Sequence, residues 1–122
     1  MTRRDGRRIS HPMLLSTDIW VGALIRRVEL GGGFAVVARK GDPRAGAVLV
    51  KVLNRSTGEA RLLSEATRGD GERVWMEPAA SREEPDLDRY IERAVRIDPD
   101  VWVVEIEDKE GRHFLVEPVE KG

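Results

Sequence analysis

Three consecutive glycines at residues 31–33 come nearest, by type and spacing, to a known chemistry. Glycine loops bind phosphate when a strand leads into the loop and the loop opens a helix, because helix N–H groups and the positive dipole end then face the anion. Here a stripe with helical spacing precedes the glycines and a β-branched run follows them. We therefore expect Gly31, with a positive φ, to end a helix at its negative end and not to bind phosphate.

The acidic residues and histidines do not converge on a second chemistry. Residues 99–109 carry the PD…ExK pattern of metal-dependent nucleases. One predicted strand nevertheless holds Asp100 and Glu107 more than about 20 Å apart. His11 and His113 are the only histidines, and no serine has the G-x-S-x-G context of a hydrolase. We predict no catalytic residue, no metal site and no cofactor, and no small-molecule ligand is indicated.

The composition is typical of one globular domain of 122 residues, with 40% hydrophobic and 35% charged residues and a net charge of −1. The absence of cysteine excludes disulfides and thiolate metal sites and suits a reducing compartment. No apolar run approaches the roughly 18 residues of a membrane span, and the N-terminal residues lack the apolar stretch of a secretory signal. We expect a cytoplasmic protein that does not bind membranes.

Residues 1–12 are interpreted as a mobile basic arm because they contain almost no apolar residue. The arm could bind the phosphates of a nucleic acid or an acidic protein, although a solvated tail is the simpler interpretation. The rest of the chain lacks a basic patch interleaved with aromatic residues, which disfavours nucleic-acid binding. The candidate contact residues are four arginines: Arg3, Arg4, Arg7 and Arg8.

Two segments have helical periodicity. The first begins at Ser16 or Thr17 and carries an apolar stripe of Ile19, Trp20, Ala23, Leu24 and Val28. The second lies within residues 81–98 and has one apolar face, formed by Leu87, Tyr90, Ile91, Ala94 and Val95. Its start stays open between a Ser81–Glu84 capping box and a cap at Asp86.

The remaining segments predict strands. Four of them, at 34–39, 46–53, 59–66 and 73–77, are separated by short turns, which favours an antiparallel meander. Two more, at 101–108 and 112–117, would form a hairpin with Gly111 in the turn. The expected fold is α+β: a mainly antiparallel sheet of five to six strands and two helices, in the order helix, four strands, helix, two strands. It would span residues 13–118, followed by a flexible tail at 119–122.

The blocks TDIWVGALIRRVELGGGFAVVARKGDPRAGAVLVKV and DPDVWVVEIEDKEGRHFL resemble a small bacterial family known as a domain of unknown function, family 1491. The resemblance spans about residues 17–115. Because that family has no established activity, the resemblance implies one intact cytoplasmic domain and no site residue.

Three function classes follow from these observations. The leading one is a non-enzymatic protein-interaction module or subunit, and the alternatives are a nucleic-acid-associated protein and an enzyme whose site forms only in three dimensions. We expect 46–53 and 101–108 in the sheet interior and 73–77 and 112–117 at its edges, where unpaired backbone groups invite another chain. The predicted interface, with a second copy or a different protein, consists of Arg112, Phe114, Leu115 and Val116.

Overall fold

A computed structural model describes residues 15–67 and 69–120 of the chain. The two helices and six strands follow the predicted order, which confirms the α+β fold class. Their bounds are α1 Thr17–Leu30, β1 Phe34–Arg39, β2 Val48–Asn54, β3 Ala60–Thr67, β4 Arg73–Met76, α2 Glu84–Ile97, β5 Trp102–Asp108 and β6 Val119–Glu120.

The six strands form one mixed sheet in the order β1-β5-β2-β3-β4-β6. Three neighbouring pairs are antiparallel, whereas β2 with β5 and β4 with β6 are parallel. The predicted meander is correct for β2, β3 and β4 but wrong for β1, because β5 lies between β1 and β2. The segment containing α2 supplies the long crossover that a parallel β2–β5 pair requires.

A helix covers each face of the sheet. Trp20, Leu24 and Val28 of α1 pack on Val50 of β2 and Val104 of β5. On the opposite face, Leu87 of α2 is buried among residues that include Leu49, Leu62 and Val101. The apolar character of both faces of β2 and β5 is thereby explained, since each strand is covered twice.

The predicted stripe of α1 is partly wrong. Trp20, Leu24 and Val28 are buried as expected, but Ile19 and Ala23 are exposed and Val21 is buried instead. The buried face is therefore rotated toward Val21 relative to the predicted one. Within the described part of the chain, neither helix is both long and apolar enough to cross a membrane.

The glycines end α1 as predicted, but one residue later. Gly31 has φ −86°, whereas Gly32 has φ 91°. The Gly32 N–H donates to Glu29 O and the Gly33 N–H to Val28 O, which is the Schellman arrangement with Gly32 at C′. Gly32 therefore takes the left-handed conformation that the sequence had placed at Gly31.

The start of α2 differs from both predicted caps. Glu83 precedes the first helical residue, and Pro85 lies in the first turn. Ser81 accepts a hydrogen bond from Glu83 N at 3.0 Å and donates to Asp86 at 2.7 Å. Ser81 therefore organises the approach to the helix without forming the predicted capping box.

The predicted hairpin after β5 is the main error in the expected elements. Gly111 does have positive φ, at 72°, but residues 112–117 form no strand. Both edges of β5 are already occupied, by β1 and by β2, so the chain cannot fold back beside it. It runs along the α1 face to Val119 and Glu120, which pair with β4. The domain therefore extends past residue 118, and the predicted tail is wrong at these two residues.

Candidate interaction surface

The segment 112–117, predicted as an interface, is held largely by contacts within the chain. Arg112 donates to Asp108 Oδ1 at 2.8 Å and to Gly31 O at 3.0 Å. Its guanidinium lies over the Phe114 ring, 4.8 Å from the ring centroid. That ring packs against Gly31, at the end of α1. Leu115 is only 9% exposed.

Val116 is 71% exposed and takes no part in these contacts, whereas Arg112 is exposed but engaged by them. The structure therefore places Arg112, Phe114 and Leu115 in contacts within the domain that join β5 to α1. The other predicted contact residues, Arg3, Arg4, Arg7 and Arg8, lie outside the described residues. Their binding to nucleic acid or to an acidic partner stays a prediction.

The strand β1 forms the longer edge of the sheet. The opposite edge, β6, has two residues, whereas β1 has six. Phe34, Val36 and Val37 of β1 are each at least 39% exposed. A register shift between Val37 and Arg39 interrupts the pairing with β5 only at the far end of the strand. The first four residues thus present a regular, apolar edge with unpaired backbone groups.

Helix α1 continues this surface above β1. Trp20 and Arg27, on one flank of the helix, donate hydrogen bonds to Glu117 and Phe114 of the 112–117 segment. Since α1 also contacts β1, its other flank lies toward that strand. By helical spacing that flank carries Asp18, Gly22, Ile25 and Glu29.

The position of Asp18 supports this placement. The Ser16 hydroxyl donates to its carboxylate at 2.6 Å and, with a smaller contribution from the charge of Lys40 just after β1, lowers the pKa of Asp18. Gly22 lies one turn further along the same flank, and a Cβ there would meet no atom within 4 Å. Glycine inside a helix costs about 1 kcal/mol relative to alanine, and no contact with another described residue requires it here.

The charges along β1 are unevenly distributed. Arg39 and Lys40 lie at its C-terminal end. At its N-terminal end, Phe34 pairs with Glu107 of β5, and Glu29 of α1 lies nearby in the chain. We call the surface formed by β1, Lys40, Glu107 and the Gly22 flank of α1 the β1 edge. The two charges lie on opposite faces of the sheet, because Lys40 interacts with Asp18 of α1 whereas Glu107 alternates with Ile106 and faces the α2 side.

The β1 edge was missed at the sequence level because β1 was expected to pair with β2. No local signal marked it, because residues 34–38 are apolar on both faces, as in a strand covered twice, although only Ala35 is buried. The predicted edge at 73–77 is wrong, since β4 is paired on both sides, with β3 and β6.

Lys51 lies on the opposite face of the sheet, beneath α2. Its ammonium contacts Glu84 at 2.8 Å, Asp88 at 2.7 Å and Glu105 at 3.5 Å. Burial favours a lower pKa for Lys51, but the hydrogen bonds to Asp88 and Glu84 prevail and raise that pKa above its usual value. A permanently charged lysine is a poor nucleophile, so this cluster attaches α2 to the sheet.

A second polar cluster surrounds two stacked tryptophans. Trp20 and Trp75 each donate an indole N–H to Glu117 at 3.2 Å. Nearby, Glu65 accepts from Val48 N at 3.0 Å and pairs with Arg73 at 2.8 Å. Burial raises the pKa of Glu65, against the opposing charge of Arg73. Both carboxylates are thus occupied by donors of the chain itself.

Two grooves lie beside α2. One, of about 360 Å³, is lined mainly by apolar residues and by Tyr90 and Arg93; the other, of about 460 Å³, lies between α2 and β1. Among residues 15–67 and 69–120, no group of three or more acidic or histidine side chains could hold a metal ion. The β1 edge combines exposed apolar side chains with a strand that has no neighbour on one side in the described sheet.

Comparison with known proteins places the chain in a family. No curated protein matches it. A crystal structure of a DUF1491 family protein from Caulobacter crescentus CB15 is 76% identical, with a TM-score of 0.86, and the match covers 87% of this chain and 99% of that one. An NMR structure of a DUF1491 family protein from the same organism is 77% identical, with a TM-score of 0.83, over 88% and 97% of the two chains.

Protein Atu0922 from A. tumefaciens has the same fold at lower identity. Its solution structure is 36% identical, with a TM-score of 0.73, and the match covers 84% of this chain and 93% of that one. The family model described as "Protein of unknown function (DUF1491)" matches residues 15–116, which include both helices and five of the six strands. The chain therefore belongs to the DUF1491 family.

Proposed function

We propose that this protein is a non-enzymatic interaction module that binds a protein partner by adding a strand to the β1 edge. The observation that carries the proposal is the exposure of Phe34, Val36 and Val37 on a sheet edge. An edge strand offers backbone donors and acceptors to an incoming strand, and alternate side chains supply apolar contacts. We place this module in the cytoplasm, where a cysteine-free chain is well suited.

The features that normally keep an edge strand from pairing with another chain occur at one end of β1. The register shift and Arg39 both occur at its C-terminal end, and the four residues before them contain neither charge nor proline. Exposed apolar side chains on a regular edge are energetically costly to leave in water. A bound strand would cover them and pair the open backbone groups.

The polar clusters support a binding role over a catalytic one. Lys51, Glu117 and Asp108 each have their polar atoms engaged by neighbours within the domain. A catalytic site needs such groups directed at a substrate in a cleft. Here they join secondary-structure elements to one another.

Site-specific photo-crosslinking in the cells that make the protein tests this proposal. A crosslinking amino acid at Val37 should give an adduct of defined mass, and Val36→Lys should abolish it because a charge blocks strand addition. The same amino acid at Thr57, in the turn between β2 and β3, should give no such adduct. Equal crosslinking at both positions, or none at Val37, would refute strand addition at β1.

A further inference from the structure

We infer that the strand added to the β1 edge is an extended segment of a different protein, with an acidic, an apolar and a cationic side chain at alternate positions on the α2 side of the sheet. This inference rests on the proposed function, that β1 accepts a strand. The side chains of β1, β5 and α2 that line this side of the sheet determine the chemistry of the segment.

Alternation along β1 assigns its side chains to the two faces of the sheet. Ala35 pairs with Ile106 of β5, and both are buried in the core beneath α1. Successive side chains of a strand point to opposite faces, so Phe34 and Val36 lie on the α2 face. A strand added beside β1 places every second side chain on that same face.

The α2 face is acidic near the start of β1. Phe34 pairs with Glu107 and Val36 with Glu105. Lys51 is the cation shared by Glu105 and two carboxylates of α2, whereas the Glu107 carboxylate pairs with no other described residue. An added strand lies about 10 Å from β5, twice the spacing of neighbouring strands. A lysine or arginine opposite Phe34 can span that distance across the exposed ring, which attracts a cation, and reach Glu107.

The groove between α2 and β1 is apolar in its middle. Its volume is about 460 Å³, and the half-buried side chains of Ile91 and Val95 line it. Val36, whose partner Glu105 also lines the groove, is 39% exposed. An apolar side chain opposite Val36 would be removed from water against these residues.

The same groove is basic near the end of β1. Arg39, which pairs with Val103, and Arg96 of α2 both line it. Arg39 donates to Pro99 O at 2.8 Å, but its buried Nε has no hydrogen-bond partner among the described residues. A carboxylate of the added strand is therefore favoured at this end, since a guanidinium binds carboxylates through paired donors.

These positions also give the order of the segment. Antiparallel pairing is the more stable arrangement per residue, so we expect the acid, the apolar residue and the cation in that order from N- to C-terminus. The strand β1 itself contains no acidic residue, so the β1 of a second copy does not offer this pattern.

Binding of two peptides of equal composition tests the inference. The probe has seven residues, with glutamate, isoleucine and arginine at alternate positions in that order and threonine between and around them. The control exchanges the glutamate and the arginine. Fluorescence polarisation of the dye-labelled probe should saturate below about 500 μM protein, and the control should bind at least about tenfold more weakly, because it brings like charges together at both ends. A probe that does not bind, or that binds no more tightly than the control, would overturn the inference.

Variants of the protein locate the contacts. Glu107→Lys should weaken binding of the probe at least about tenfold, and it should prefer a peptide in which glutamate replaces the arginine. Glu59→Lys makes the same charge change in the turn before β3, far from β1 in sheet order, and should bind the probe as the wild type does. Equal affinities of Glu107→Lys and the wild type for the probe would contradict the acidic contact.

The Val37 crosslink in cells separates this inference from the proposed function. An adduct with a different protein that is lost in Glu107→Lys supports both. An adduct that persists in Glu107→Lys, or one of twice the chain mass, retains strand addition but refutes this partner chemistry. The absence of any adduct at Val37 refutes strand addition, and the inference with it.

Discussion

Trp20 of α1 and Trp75 of β4 stack with their ring centroids 5.5 Å apart, and both donate their indole N–H groups to one carboxylate, that of Glu117. These residues come from three distant parts of the chain. Glu117 lies just before Pro118, whose carbonyl accepts the Trp75 backbone N–H at 2.9 Å. The pair therefore fixes the 112–117 segment against both α1 and the sheet.

We expect Glu117→Ala to lower the free energy of unfolding by about 2–4 kcal/mol, because it leaves two buried indole donors without an acceptor. Glu117→Gln should cost less, since one amide oxygen can still accept from one indole. Denaturant unfolding followed by tryptophan fluorescence measures both values. The exposed Glu92→Ala on α2 is the control, and an equal loss in that control would contradict the assigned role.

Replacing Lys51 and replacing its carboxylate partners should change the stability of the fold by unequal amounts. The Lys51 side chain is 6% exposed, whereas those of Glu84 and Asp88 are 41% and 51% exposed. Lys51→Met should change stability by less than about 1.5 kcal/mol, because the carboxylates regain water and the methionine fills the space. Replacing two of its three carboxylate partners with Glu84→Gln and Asp88→Asn should cost more, about 3 kcal/mol, since the buried cation then keeps only Glu105 at 3.5 Å. Equal effects of the two changes, in chemical denaturation, would refute this account.

Asp108 predicts a pH dependence. The hydrogen bond from Arg112, aided by the Glu110 and Arg112 backbone N–H groups, holds the pKa of Asp108 below its usual range. A carboxyl group with a lowered pKa in the folded state contributes stability that is fully present above its unfolded pKa of about 3.9 and is lost as the pH falls below it. Asp108→Asn should therefore be less stable than the wild type at neutral pH. The difference in free energy of unfolding between the two proteins should narrow as the pH falls toward the pKa of Asp108 in the folded state. A difference that does not change with pH would contradict the coupling between this ionisation and folding.

Gly31→Ala and Gly32→Ala should each destabilise the fold, but for different physical reasons. Gly32→Ala should cost about 1 kcal/mol through its positive φ, whatever residue occupies position 114. Gly31→Ala is strained by packing, because its Cβ would press into the Phe114 ring. Its cost should fall sharply in a Phe114→Ala background, while that of Gly32→Ala stays the same. A double-mutant cycle measured by thermal unfolding separates the two, and equal coupling at both positions would contradict the difference.

Local sequence determined the elements themselves. The β-branched runs gave β2 and β5, and the alternation of turn residues and apolar runs gave their order. In α2, the predicted face is correct at Leu87, which is fully buried, and at Tyr90 and Ile91, which pack beside it. Turn chemistry is equally local, so the positive φ of Gly111 could be predicted from the position of a glycine in the turn after β5.

Only the tertiary structure decided which strands are neighbours. Backbone hydrogen bonds are the same for every residue type, so the pattern of residues 101–108 does not specify that β5 lies between β1 and β2. That insertion had two consequences that no local pattern contains. It closed both edges of β5, which denied residues 112–117 a strand partner, and it left β1 at the open edge. The partners of Lys51 and Glu117 were likewise unpredictable, because ion pairs and hydrogen bonds between residues distant in sequence depend on where packing brings the chain.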